Sequence, residues 1–375
     1  MSSNVEQEVT HSAGVTLAGA EGTIAIDGSY GEGGGQVLRT SLTLSVLTGR
    51  PLEITRIRAG RKKPGLRPQH LTAVRALAAS CAGELHGDVI NSQRLVFRPG
   101  GRPSGGDYLF DVNDAAQGGS AGAVTLIAQA VLLPLAFASG PSRVTLRGGT
   151  HVPWSPPFHY LRDVFLPVIG RMGCRAEAHL NGWGWYPVGQ GEVELVVQPC
   201  RGMTGLQWME RGELAQVTGV AGVTNLPAHI PQRMASRANN LLRGAGITGR
   251  VEALRARGAG AGAGIFLKAD YANGPAGFSA LGRRGLPAEK VAESACASFF
   301  EHHQDLPAAV DPWLADQLIL PLALAAGESA LTTSKITQHT LTNIHIVAQF
   351  LGAGIEVEGR GEGGTVRISG IGYHV

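Results

Sequence analysis

The chain has 375 residues, 43% hydrophobic and 16% charged, with a formal net charge of only +3 at pH 7. This is the composition of a soluble globular protein of one large domain or two, and any surface that meets a polyanion must be local. Its four cysteines (Cys81, Cys174, Cys200 and Cys296) form no C-x-x-C pair, which argues against a disulfide framework or zinc site and for a reducing cytoplasm.

Residues 1–22 lack both a basic n-region and an apolar h-region and read as a disordered extension. The β-like run "TIAIDGS" then leads into "GSYGEGGGQVLRTSL". Laid over G-x-G-x-x-G, that loop supplies Gly31 and Gly33 but Gln36 at the third glycine, and no Gly-Lys-Ser/Thr follows. It is therefore no standard nucleotide fingerprint, although its glycines expose N–H groups where a helix begins, between Glu32 and Arg39.

From there the chain repeats itself. The stretches "GGQVLRTSLTLSVLTGRPLEITRIRAG", "GSAGAVTLIAQAVLLPLAFASGPSRVTLRGG" and "PWLADQLILPLALAAGESALTTSKI" each read as apolar helix, turn and strand. Each is followed by an amphipathic helix ending in glycine and by further strands. The fold class predicted is α/β (α+β): a sheet backed by two helices, three times over. Residues 23–201 with 283–375 form the main domain, and 202–282 break the rhythm as a small inserted α+β domain. The longest apolar run, "AVTLIAQAVLLPLAFA", contains Gln129 and Pro134 and is too short to span a membrane.

A histidine opens the second helix of every unit: His70, His159 and His339. Most such histidines serve packing or capping. His339 stands in "TQHTLTN", among hydroxyls and amides and with no carboxylate near it in sequence, where a neutral imidazole can act as nucleophile, base or ligand. Its H-x5-H spacing with His345 does not suit zinc, and no metal-ligating set is evident. Asp316, near the start of an apolar helix, reads either as a charge on the helix dipole or, with Trp313 and Gln317, as part of an adenosine pocket. "IRAGRKKPGLRPQH" gathers Arg56, Arg58, Arg61, Lys62, Lys63 and Arg67 with no acid between them, so a phosphate-rich ligand would bind there.

Together "GSYGEGGGQVLRTSLTLSVLTG", "IRAGRKKPGLRPQHLTAV", "QRLVFRPG", "GSAGAVTLIAQAVLLPL", "GWYPVGQGEV", "LADQLILPLALA" and "QHTLTNI" resemble the RNA 3'-terminal phosphate cyclase family, in order from about Ile24 to the C-terminus. The resemblance implies three βαβαββ-like repeats related to the enolpyruvate transferase fold, with a small α+β insert. It implies a ligase that uses ATP with a divalent metal, Mg2+ or Mn2+, and acts on RNA 3'-phosphate ends without a membrane, with monomer and homodimer both open. A histidine takes AMP from ATP and passes it to the RNA 3'-phosphate, and the neighbouring 2'-hydroxyl displaces it to leave a 2',3'-cyclic phosphate.

On this resemblance the nucleophile is His339, and the ATP contacts are Gln129, Trp313, Leu314, Ala315, Asp316, Gln317 and Glu32. Arg39, Arg58, Arg61, Gln69 and His70 match positions at the phosphate end. Where this chain has Trp313, family members often have tyrosine; stacking on adenine survives that change and a phenol hydrogen bond does not. The alternatives are a ribosome-assembly scaffold of the same fold without the histidine, an enolpyruvate transferase with six related units, and a dinucleotide-dependent dehydrogenase. The intact "QHTLTN", the count of three units and the missing third glycine argue against each in turn.

Overall fold

The structure is a computed structural model, and it describes residues 22–116, 119–304, 308–359 and 363–375. The expected N-terminal extension thus lies outside the described residues, apart from Gly22.

The first repeat runs β1 (Ile24–Asp27), α1 (Gly35–Thr48), β2 (Leu52–Thr55), α2 (Pro68–Ser80), β3 (Glu84–His86) and β4 (Leu95–Arg98). Its sheet has the order β1-β2-β4-β3, with β1 parallel to β2 and the other pairs antiparallel. The second repeat begins with β5 (Gly106–Asp111), α3 (Val124–Ala136) and β6 (Ser142–Gly148). A helix follows as α4 (Phe158–Tyr160), a π-helical turn over Leu161–Phe165 and α5 (Leu166–Arg171), then β7 (Ala176–Gly182) and β8 (Gly191–Val197). The order β5-β6-β8-β7, again with one parallel pair, repeats the first sheet strand for strand.

The third repeat is interrupted. Its first strand, β9 (Gln207–Trp208), precedes a separate unit of β10 (Leu214–Thr224), α6 (His229–Gly244), β11 (Gly249–Arg255), β12 (Gly262–Tyr271), β13 (Gly274–Leu281) and α7 (Ala288–Gln304). The repeat then resumes with α8 (Pro312–Leu324), β14 (Ala326–Thr333), α9 (Gln338–Leu351), β15 (Gly354–Glu358) and β16 (Gly364–Ile371). The order β15-β16-β14-β9, with β9 parallel to β14, is the same βαβαββ topology a third time.

Two cores follow. One joins all three repeats; the other is confined to β10–β13, α6 and α7. The expected limits of the insert, 202 and 282, fall elsewhere. Met203, Leu206 and Trp208 pack in the main core, whereas Val291, Ala295 and Phe299 of α7 pack in the second. "GLQWMERGELAQVTG" reads as one strand because its β-formers run on, but it divides into β9 and β10. The amphipathic stripe of α7 carries no mark of which sheet it covers.

Helix–helix contacts hold the repeats together: α1 packs on α9, α2 and α3, α2 on α3, and α8 on α9. No helix of the described residues is long and apolar enough to cross a membrane.

Asp311, fully buried, caps α8 and links three parts of the chain. It accepts from the N–H groups of Trp313 and Leu314 (3.0 Å each), from the Tyr160 hydroxyl of the second repeat (2.7 Å) and from the Gly277 N–H of β13 (3.4 Å). Replacing it removes a cap and strands a buried phenol. We expect Asp311→Ala to lower the unfolding free energy by about 2–4 kcal/mol in urea titrations, and Asp311→Asn, which keeps an acceptor, to lose less.

Candidate active site

The first turns of α1, α2, α3, α8 and α9 meet around two adjoining cavities. Helix starts carry unpaired N–H groups and the positive end of the helix dipole, so their convergence favours anions. The larger cavity, about 920 Å³, is lined by Glu32, Gly34, Gly35, Arg39, Arg58, Arg61, Arg67, Gln69 and His70 among others. The smaller, about 480 Å³, is lined by Gln129, Tyr160, Trp313, Asp316, Gln317 and Asn343 with apolar neighbours. Gln36, Arg39, Leu126, Trp154, Ser155 and His339 line both.

His339 is the second residue of α9, whose cap is Thr337, accepting from the Thr340 N–H at 3.1 Å. Its Nε2 lies 3.2 Å from Glu32 Oε2, so the carboxylate absent from its sequence neighbourhood arrives from the glycine-rich loop. Glu32 also meets Arg61 at 3.4 Å. That loop is a pair of tight turns, closed by Tyr30 N–H to the Asp27 carbonyl (3.1 Å) and Gly33 N–H to the Tyr30 carbonyl (2.9 Å). Gly31 and Gly33 take the left-handed conformation there, at φ 61° and 53°. Tyr30 stacks on His345 with ring centroids 3.7 Å apart, fixing the loop to α9. Burial lowers the His339 pKa most; Glu32 pulls it up, and Arg39 and Arg61 push it down. The imidazole is therefore held neutral at pH 7, as a nucleophile requires.

Polar side chains on the apolar helices α3 and α8 face the smaller cavity. Gln129 donates to Gln317 Oε1 at 2.5 Å, and Gln317 donates to the Trp313 carbonyl at 2.8 Å. Gln36 donates to Asp316 Oδ1 at 3.1 Å, Asn343 to the Asp316 carbonyl at 2.9 Å, and Thr40 to Asn343 Oδ1 at 2.7 Å. Trp313 is half exposed at the cavity edge. Burial raises Asp316 to about 7, against the pull of Gln36 and Arg39. Burial likewise lowers Arg39 to about 10, against the pull of Asp316. For both partners desolvation outweighs their mutual attraction.

In the larger cavity the positive charges crowd. Arg58 is anchored to the carbonyls of Lys63 and Gly65 (2.8 Å each), and its pKa is lowered by burial and by Arg61 and Arg67. Arg67 is held by Asn91 Oδ1 at 2.7 Å. His70 is buried and kept neutral, by burial first and then by Arg58, Arg39 and Arg67. The Arg67 N–H donates to His70 Nδ1 (3.2 Å), and a Cβ at Gly35 would meet His70 Nε2 at 2.4 Å, so only glycine fits at the start of α1. Gln69 Oε1 accepts from the Ala123 N–H at 2.9 Å. A guanidinium group such as Arg58, whose pKa burial and its neighbours' charges lower, is stabilised by an anion.

His339, Glu32, Arg39, Arg58, Arg61, Gln69, His70, Gln129, Trp313, Asp316 and Gln317 thus line one or both cavities. Leu314 and Ala315 do not: both are fully buried in the core, and their N–H groups are bonded to Asp311. Asp311, not Asp316, caps α8. Among the three helix-start histidines, His159 is buried against His151 (2.9 Å between ring nitrogens), away from the cavities. Gln36, Asn343 and Trp154 were not singled out in the sequence. The first two have a visible signal, a polar residue at a core position of an apolar helix; Trp154 lies in a loop without one.

A family model described as RNA 3'-terminal phosphate cyclase matches residues 30–357. A protein of that name from Trichormus variabilis is 55% identical over 327 residues, which is 87% of this chain and 94% of the relative. One from Methylococcus capsulatus is 52% identical over 349 residues, 92% of this chain and 96% of the relative. Among solved structures, the enolpyruvyl transferase NikO from Streptomyces tendae superposes with a TM-score of 0.38 at 12% identity, over 94% of this chain and 50% of that one.

Two titrations check the electrostatics. In NMR titrations of the imidazole, Glu32→Gln should move the His339 midpoint down, because a raising charge is lost, and Arg61→Ala should move it up. The raised Asp316 carboxyl stabilises the fold most below its ordinary value of 3.8, and that contribution is lost as pH climbs through about 7. The buried histidines His70, His151, His159 and His302, whose values burial lowers, contribute in the opposite sense, so the effect is read as a difference: the unfolding free energy of wild type minus that of Asp316→Asn should fall across that window. Asp311, which burial raises to about 6, adds the same sense of change to both proteins and cancels from that difference.

Proposed function

Since the chain belongs to the RNA 3'-terminal phosphate cyclase family, whose members are ligase-type enzymes, we propose that it converts an RNA 3'-phosphate to a 2',3'-cyclic phosphate at the expense of ATP, through AMP carried on His339. One observation carries the reading: His339 stands on the wall shared by an aromatic-edged cavity and a guanidinium-lined one.

In this reading adenine stacks on Trp313, with Gln129, Asp316 and Gln317 beside the nucleoside, and the phosphates extend past His339 toward Arg39. A ring nitrogen of neutral His339 attacks the α-phosphorus; an N–P bond forms, the P–O bond to pyrophosphate breaks, and pyrophosphate leaves. An oxygen of the RNA 3'-phosphate then attacks the same phosphorus, breaking the N–P bond and restoring the imidazole. The 2'-hydroxyl, giving up its proton, attacks the 3'-phosphorus and expels AMP. A phosphate monoester has no usable leaving group, and adenylylation supplies one; the adjacent hydroxyl then closes the ring at high effective concentration. Arg58, Arg61 and Gln69 hold the acceptor phosphate, and buried, neutral His70 keeps the first turn of α2 in register beside them.

A divalent metal fits a limited role. No group of three or more His, Cys, Asp or Glu side chains gathers among the described residues, so an all-protein cage is not formed. Mg2+ is commonly held by one carboxylate with substrate phosphates, and Glu32 is the carboxylate available beside His339; such an ion would neutralise phosphate charge.

The test uses ATP labelled at the α-phosphate, with Mg2+ or Mn2+ and no RNA. We expect acid-labile, alkali-stable label on the protein and none on His339→Ala, and loss of cyclisation by at least about 1,000-fold in that variant. No label on a folded wild-type protein would instead favour a scaffold of the same fold.

A further inference from the structure

The residue left over by this account is Trp154. It is 97% exposed, it lines both cavities, and no ring or guanidinium of the described residues stacks on it. Its backbone is left-handed, at φ 61°, a conformation a bulky residue seldom adopts. Strain of that kind persists only where the surroundings enforce it.

The surroundings do enforce it. The loop between β6 and α4 is pinned before the tryptophan by the Thr150 and His151 N–H groups, both bonded to the Gly184 carbonyl (2.9 and 3.0 Å). The buried His151 ring lies flat on Trp183, with centroids 4.2 Å apart and planes at 7°. After the tryptophan, Ser155 donates to the Val152 carbonyl (3.0 Å), and Thr125 of α3 donates to the Pro156 carbonyl (2.7 Å). Pro153, Pro156 and Pro157 stiffen what remains. A rigid loop thus holds one aromatic face in water at the mouth of the site.

The two cavities do not need it equally. The smaller already has Trp313. The larger holds the guanidinium groups, and Trp154 is the one tryptophan, tyrosine or phenylalanine among the described residues lining it. A nucleotide whose 3'-phosphate sits among Arg58, Arg61 and Arg67 must put its base against a wall of that cavity. Stacking on an aromatic face accepts any base.

We propose that Trp154 is a positioning residue for the acceptor, a platform on which the base of the RNA 3'-terminal nucleotide stacks. The inference rests on the reading of His339 and the guanidinium-lined cavity as the site of RNA 3'-end adenylylation. It adds an aromatic determinant of RNA affinity that does not touch the reacting phosphorus.

The test is direct binding, by fluorescence anisotropy, of a 3'-phosphorylated RNA oligonucleotide in the absence of ATP. It compares wild type, Trp154→Ala and Trp154→Phe, each against the same oligonucleotide with an abasic terminal nucleotide. Trp154→Ala should bind the intact oligonucleotide about 5- to 150-fold more weakly, and Trp154→Phe should recover most of that. The abasic oligonucleotide should bind wild type about as weakly and lose nothing further in Trp154→Ala. Labelling by ATP alone, run on the same variants, separates a role of the ring at adenine from a role at the RNA end.

Equal binding of the intact oligonucleotide by wild type and Trp154→Ala overturns the inference. So does an unchanged gap between intact and abasic oligonucleotides in Trp154→Ala, or a raised KM for ATP with RNA binding intact, which would assign the ring to adenine. A wild-type protein that takes no label from ATP overturns the adenylylation reading, and the binding arms still decide the role of Trp154.

Discussion

A helix without a polar face must be covered on all sides, and α3 and α8 have almost none. Their burial forces the helices of the three repeats into one mass, with the sheets around it, and the rest of the molecule follows from that contact. Because the repeats share one topology, the packing brings the starts of helices from all three to one place. Of the few polar side chains those helices carry, Gln129 on α3 and Asp316 and Gln317 on α8 face that place. Site and core are therefore one arrangement seen from two ends.

The electrostatics at that meeting point do little for stability. Glu32 shares itself between His339 and Arg61 through side chains that are 36–45% exposed, and such pairs contribute about 0–1 kcal/mol at most. The displaced pKa values of Arg39, Arg58, His70 and Asp316 record charge that the fold crowds together and dehydrates. A polyphosphate would relieve the crowding among the arginines. Perturbed titrating groups gathered in a cleft mark a candidate ligand site.

Much of this was legible in the amino acids. Three recurrences of apolar helix, turn and strand disclose the repeats, and the family resemblance picks out Gln129, Asp316 and Gln317, which line the smaller cavity. What was hidden is what depends on distant pairing. The Glu32 partner of His339 lies across the chain, so a search of the neighbourhood of "TQHTLTN" could not find it. Leu314 and Ala315 belong to the same run as Trp313 and Asp316, but the helical period turns them inward. The strand that opens the third repeat is two residues long and is recognisable only by its parallel partner, β14.

The inserted unit hangs between β9 and α8, the position at which the third repeat passes from its first strand to its first helix. From there β13 supplies Gly277 and Ser279 to the smaller cavity, and Gly277 meets the aspartate that caps α8. Two hydrophobic cores that could otherwise melt separately therefore share a wall. A ligand touching both would bind their union, so its affinity would measure how firmly they adhere, and a lesion in either core would reach the other as a weakened grip on that ligand.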